Sequence, residues 1–440
     1  MLPRRTEPVE MLKSFKRDEN LKDAEILTYP ELEMKAQEAL DAEGRIFNEF
    51  EASDPGSVEE EDRARAAAVG YLVLTGLQLQ HADSERQAIV SERFTKASIE
   101  LYGQPEASEV AAMTARKQKQ AESLLGKPDI DQDKLKNVIS FYKEQLGSST
   151  YEAADMAGEQ LGQALDKFQE MLKHRYAQVC DAFQEVEQGG KVSPKRAQEL
   201  FQRGIDVLAD TDEAWNEWKV EIAEGRTSSS DAKEKIVKVG NISREENKLL
   251  PLFAHEVLVH SLRAVNGSKL GDSLAEQGMP DYLPAEEGIT TFMQRALSGE
   301  RQAPHSDLYM HIGFALGSLG HAPVPRHQLQ QFYLDKLIIE RQAQGKDVDI
   351  QDLTSKSWTH VNRIYRGTLG SEVVAVNTKD IAYHQGFVQV SRYIIEELDA
   401  GTTPEEIFDF LMQAKFDPLN SKHILYLDEL KAQQDIDNLA

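Results

Sequence analysis

The first 210 residues carry helix-favouring side chains at mixed apolar spacing, interrupted by clusters of turn formers. Helices are expected near 31–52, 60–81, 83–102, 106–125, 131–146, 151–188 and 195–209. The breaks fall at Asp54-Pro55-Gly56, Lys127-Pro128-Asp129, Gly147-Ser148-Ser149 and Gly189-Gly190, where Pro and Gly end regular structure. Past Trp215 the period shortens to two. Residues 218–222 and 235–239 alternate like half-buried strands on either side of a polar turn, 225–230, and predict a small antiparallel sheet. Ser243 with Glu246 three residues later reads as a capping box, and Pro251 fits either a first turn or a kink. Between residues 252 and 265 the apolar positions, among them Leu252, Phe253, Val257, Leu258, Val259 and Leu262, cover nearly every direction around a helical axis. Such a helix is buried. Asn266-Gly267 offers it a C-terminal stop, and Pro284 opens a further helix over about 285–297 with Gly299 past its end.

That buried helix carries His255, Glu256 and His260. Buried polar groups need partners, and a metal ion supplies them. Imidazole suits zinc, and two His with one Glu leave the fourth tetrahedral position open. Glu256, adjacent to the first imidazole, is placed to take a proton from water there. The spacing is H-E-x-x-x-H, and positions i and i+5 of an α-helix lie roughly 140° apart, too far to share one ion. A π-bulge between Glu256 and His260 absorbs the extra residue. Downstream, Glu286 and Glu287 occupy adjacent helical positions and cannot both point at one site. One should be a ligand and the other is left for a supporting contact or solvent; alternatively, both simply complement the helix dipole. Gly288 removes a side chain where two helices must approach closely.

The run His255-Glu256-Val257-Leu258-Val259-His260-Ser261-Leu262-Arg263-Ala264-Val265-Asn266, followed by Pro284-Ala285-Glu286-Glu287-Gly288, resembles the metal-binding region of the microtubule-associated tyrosine carboxypeptidase family and its uncharacterised bacterial relatives. Arg363-Ile364-Tyr365-Arg366-Gly367 and residues 378–386 resemble two later family segments, and Leu101-Tyr102-Gly103-Gln104-Pro105 is a weaker echo upstream. Ala285 and Ile289 depart from the family pattern beside E-E-G. The resemblance implies one zinc ion per chain held by His255, His260 and Glu287, with Glu256 as catalytic acid and base. It also implies carboxypeptidase action on a peptide or protein C-terminus. Tyr383 then becomes a candidate donor to a developing oxyanion, and Asp380 and His384 candidates for orienting ligands. Arg363, Arg366 and Lys379 become candidates for binding the substrate carboxylate. Outside that pattern, Arg363 and Arg366 read equally well as ion pairs and Tyr383 as packing. His305, His311, His321 and His327 are irregularly spaced and read as ordinary histidines; Trp215, Trp218 and Trp358 read as core or cleft wall.

The expected fold is α+β and predominantly helical. It comprises an arm over 1–30, a helical bracing region over 31–212, a zincin-like catalytic core with its small sheet over 213–400, and C-terminal helices over 401–440. In zinc peptidases of that class an edge strand pairs with the extended substrate, a fold-level analogy. One cysteine, Cys180, excludes an internal disulfide framework. The basic start lacks a following apolar stretch, and no run of about 18 apolar residues exists, so a cytoplasmic protein without membrane partners is expected. A net charge of −25 argues against nucleic acid as partner. The oligomeric state is not legible. Two competing readings are a dipeptidyl-peptidase-like zinc exopeptidase, which shares the six-residue spacing, and a non-catalytic zinc-binding regulator.

Overall fold

The computed structural model describes Leu72, Gly76 and residues 84–147, 158–184, 190–301, 306–365 and 374–439. In chain order come α1 (Ser84–Tyr102), α2 (Ala107–Glu122), α3 (Gln132–Leu146), α4 (Gly158–Arg175), α5 (Ala177–Gln184), β1 (Lys191–Val192) and α6 (Pro194–Ala209). Strands β2 (Lys219–Ile222), β3 (Ser229–Asp231), β4 (Ile236–Val239) and β5 (Arg244–Glu245) follow. After them run α7 (Leu249–Phe253), a π-helix (Ala254–Ser261), α8 (Leu262–Lys269), α9 (Ser273–Gln277) and α10 (Leu283–Ser298). The last helices are α11 (Ser306–Leu316), α12 (Arg326–Ala343), α13 (Ile350–Ile364), α14 (Ile381–Ala400), α15 (Pro404–Leu411) and α16 (Ser421–Leu439). The described residues are therefore predominantly helical, as expected. None of their helices is long and apolar enough to cross a membrane.

Local chemistry explains several boundaries. Asp131 accepts from Lys134 N–H at the start of α3, and Ser193 does the same for Arg196 ahead of Pro194 in α6. Gly299 ends α10 in the left-handed region at φ 72°. The helix expected over 151–188 is, among the described residues, two helices parted at Tyr176. The helix expected at 31–52, the arm over 1–30, the break at 54–56 and most of 60–81 fall outside the described residues.

Four local expectations change. Strands β2 and β4, both legible from their alternation, run parallel; the antiparallel partner of β4 is β3, in the order β2-β4-β3. The tight turn lies at Ala232–Lys235, with Lys235 at φ 53°, whereas 225–230 leads into a polar strand that carries no alternation signal. Antiparallel pairing also joins β1 to β5. Because β5 holds Arg244 and Glu245 extended, the capping box at Ser243 does not form, and a 3₁₀ turn (Glu246–Lys248) leads into α7. Nor does Gly267 end its helix. A Cβ there would sit 2.1 Å from Ala275 O, so glycine admits the backbone of α9.

The chain divides into two compact units: Met1–Ala154 with His305–Ile381, and Asp155–Pro304 with Ala382–Ala440. Helices α4 to α6 share cores with the metal-motif segment: Phe168 packs edge-on to Phe292 at 5.2 Å, and Phe201 to Phe253 at 5.2 Å. Helices α11 to α13 and residues 374–381 instead build their cores with α1 to α3, where Phe141 stacks on Phe332 at 4.0 Å.

The first unit also buries a polar cluster that the sequence does not announce. Lys336 donates to Asp307 Oδ2 and Glu340 Oε1, both at 2.7 Å, and Lys117 lies 3.1 Å from Asp307 Oδ1. His311 is fully buried with Nδ1 2.8 Å from His360 Nε2. Burial, then the neighbouring His360, holds the His311 imidazole well below its usual range. Burial opposes ionisation of Asp307, yet Lys336 and Lys117 outweigh it and keep the carboxyl low. Below about pH 6.5 the unfolded chain protonates its imidazole while folded His311 stays neutral, so this contribution stands above that pH and is lost as pH falls. The Asp307 contribution stands above about pH 4 and is lost below it. Between about pH 7 and pH 5 His311 gives stability, read from the urea midpoint, a downward slope of at most about 1.4 kcal/mol per pH unit as pH falls, which the raised Glu256 and His260 groups oppose. His311→Gln should flatten that slope; equal slopes in the two proteins would refute the assignment.

Candidate metal centre

The site starts from a rewound turn. Residues Ala254–Ser261 form a π-helix between two α-helical stretches, longer than a single expected bulge. Its i→i+5 ladder stacks residues five apart, which an α-helix would turn away from each other. The rings of His255 and His260 accordingly meet, with centroids 5.0 Å apart and planes at 76°. Ser261 Oγ donates to Glu256 O at 2.8 Å, satisfying a carbonyl inside the rewound segment. Since its hydrogen is used there, the contact at 2.9 Å from Ser230 Oγ on β3 must be donated by Ser230. Strand β3 is an outer strand of its sheet, so this bond ties an outer strand to the π-helix.

Helix α10 supplies three consecutive residues that point three ways, as about 100° per residue demands. Glu287 Oε2 lies 3.9 Å from His255 Nε2, and one donor atom each of His255, His260 and Glu287 fall within 4.8 Å of one another. Tetrahedral zinc with bonds of about 2.0–2.1 Å sets donors roughly 3.4 Å apart, so modest side-chain rotation closes the set. Glu286 instead turns inward. Its Oε1 is 2.7 Å from His260 Nδ1, and its Oε2 accepts from Arg263 Nη1. Gly288 faces α14, where a Cβ would sit 2.2 Å from Gly386 O; a Cβ on Gly386 would meet Pro284 O at 1.7 Å. The close approach expected at Gly288 is thus with α14 and not with the His-bearing helix.

The hydrogen bonds settle which ring nitrogens are offered. Carboxylate Glu286 only accepts, so His260 Nδ1 carries the hydrogen and Nε2 is left for the donor set. Gln294 Oε1 lies 3.0 Å from His255 Nδ1, which makes Nδ1 the donor there and Nε2 the atom facing Glu287. Gln294 stands two turns beyond Glu287 on one face of α10. Ring nitrogens fixed in this way are what a metal-binding imidazole needs. The three donor side chains keep 13–17% of their surface exposed, against 2% for Glu286, which is shut away more completely than they are. Two imidazoles and a carboxylate fit zinc chemistry.

Electrostatics separates the three glutamates. Burial, reinforced by Glu287, pushes the Glu256 carboxyl up to about 7, although His260, Arg244 and Lys415 pull the other way. Burial also opposes ionisation of Glu286, but Arg263, Lys415 and His260 prevail and hold it well below the usual carboxylate range. For His260, burial disfavours the charged ring, and Glu286 overcomes that to raise it.

Of the expected site residues, His255, Glu256, His260 and Glu287 come together. Tyr383 and His384 lie on the first turn of α14, one turn or less before Gly386, and His384 is buried. Arg363, Lys379 and Asp380 belong to the other unit, where Arg363 Nε donates to Asp380 Oδ2 at 2.6 Å, the ion-pair alternative for this arginine. Arg366 and His305 lie outside the described residues. Trp215 and Trp218 are core, whereas Trp358 is 47% exposed beneath the Arg326 guanidinium. Arg263, Gln294, Ser261 and Lys415 were not anticipated. Arg263 and Gln294 sit at helical spacings from His260 and Glu287 and were within reach of a periodicity argument; Ser261, five residues from Glu256, and Lys415 were not.

No family model, curated protein or solved structure matches the chain. The crossing of α10 and α14 permits a direct test. Gly386→Ala is expected to destabilise the protein by about 1–3 kcal/mol or more, because the obstacle is backbone and cannot yield. Gly225→Ala, with nothing within 4 Å of the added Cβ, is the control. Equal urea midpoints for the two variants would show that the crossing is not tight.

Proposed function

We propose that the chain is a zinc-dependent metallopeptidase that releases a C-terminal residue. The observation that carries this reading is the convergence of His255, His260 and Glu287 with buried Glu256 on the same rewound helix. A bound zinc supplies Lewis acidity toward a peptide carbonyl and toward water. His255, His260 and Glu287 would hold it. Glu256 would take the proton of the attacking water and pass it to the leaving amine, a role that a purely structural site does not need. An extended peptide would pair with outer strand β3, which Ser230 fastens to Ser261. Tyr383 would donate to the oxyanion.

The choice of the C-terminal end rests on the resemblance in the two motif segments. A substrate carboxylate needs a cation, and Lys379, Arg363 and Arg366 are the residues which that resemblance names. A tubulin substrate does not follow, since it requires recognition surfaces particular to some members.

Mass spectrometry of a peptide library incubated with the protein, with and without a chelator, tests activity, polarity and metal dependence together. Loss of single C-terminal residues is expected, abolished by chelator and by C-terminal amidation. Cleavage that demands a free amine and ignores amidation would favour the dipeptidyl-peptidase-like alternative. Glu256→Gln should lower turnover by about 10²–10⁴ while zinc still binds. Unchanged turnover would remove Glu256 from the chemistry, and a zinc-loaded wild-type protein that cleaves nothing would favour the regulatory alternative.

A further inference from the structure

Glu286 is bound to more cation than one carboxylate requires. Its Oε2 accepts from Nη1 of fully buried Arg263, and its Oε1 lies 3.7 Å from Lys415 Nζ as well as 2.7 Å from His260 Nδ1. Arg263 also donates through Nη2 to Phe416 O at 2.5 Å. Lys415 is fixed by its own backbone, its N–H donating to Ala275 O and its carbonyl accepting from Met279 N–H, both at 2.9 Å. Asn266, one turn beyond Arg263, donates to Met412 O at 2.8 Å. The stretch 412–416, just past α15, is therefore laced to the segments around the donor set.

Stability alone does not account for three charges taken out of water. An apolar cluster of the same volume is commonly as stable or more so. What the ions add is direction. A guanidinium that grips one carboxylate oxygen aims the other, and here that other oxygen meets the ring N–H of His260. We infer that Arg263 and Lys415 are positioning residues that act through Glu286 on His260, holding its Nε2 toward His255 and Glu287. The stretch 412–416 thereby belongs to the metal centre, although the motif that announces the centre ends far earlier in the chain. This inference rests on reading the site as a metal centre.

The test is the zinc affinity of the full-length protein, measured by competition with a chromophoric chelator, with Zn²⁺ as the probe and no turnover required. Glu286→Gln is expected to weaken binding by about 10–100-fold and Lys415→Met by about tenfold, with helical circular dichroism retained. In the Glu286→Gln background Lys415→Met should cost nothing further, because the route through Glu286 is already gone. Arg263→Lys keeps the charge but loses the fork. It should show the same loss and the same dependence on Glu286, and it serves if Lys415→Met does not fold. Zinc affinity unchanged in these variants, with only a lower melting temperature, would overturn the inference. So would full additivity with Glu286→Gln. A wild-type protein that binds no zinc would instead overturn the metal reading itself, and the inference with it.

Discussion

One extra residue wound into a helical turn governs the centre. Without the π-helix at Ala254–Ser261, His260 would face roughly 140° away from His255 and the two rings could not share a ligand. The rewinding is held from several sides. Val257 and Leu258 pack into one core, Val259 into another, and Ser261 satisfies the Glu256 carbonyl. Relaxing the segment to an α-helix would rotate α8 by about 100° against everything it touches. Packing of that density has no room for such a rotation.

The glutamate helix answers this constraint with adjacent residues that do different work. Glu287 turns to the imidazoles, Glu286 into a buried ion cluster, and Gly288 against the backbone of α14. Their chemical identity separates them less than their surroundings do. Two carboxylates side by side in the chain differ because one sees two cations and no solvent, and the other sees an imidazole edge and partial exposure.

Much of this was legible in the residues. Helical periodicity located α1, α2, α3 and α6 to within a few residues, and Pro284 and Gly299 bracketed α10. The H-E-x-x-x-H spacing required a rewound turn, which is a geometric necessity once both rings must meet. Strand β3 was missed because Ser229, Ser230 and Asp231 carry no alternation, so the parallel pairing of β2 with β4 was hidden too. The division into units was hidden for a related reason. Phe168 and Phe201 announce burial without naming the partner that buries them. Lys415 looks like any surface lysine until folding brings it beside Glu286. Long-range pairing leaves no local periodicity to read.

The route of the chain through its units also bears on how the centre is assembled. Residues 254–288 leave the ribosome after α4 to α6 but before the rest of what packs on them, since Gly386 and Phe416 follow only after the excursion His305–Ile381 into the other unit. Until that later backbone arrives, the Arg263 guanidinium lacks its carbonyl acceptor and Glu286 lacks its ammonium neighbour. The imidazole pair is thus synthesised early and braced late. A nascent protein would carry the sequence motif complete while its scaffold was still unfinished.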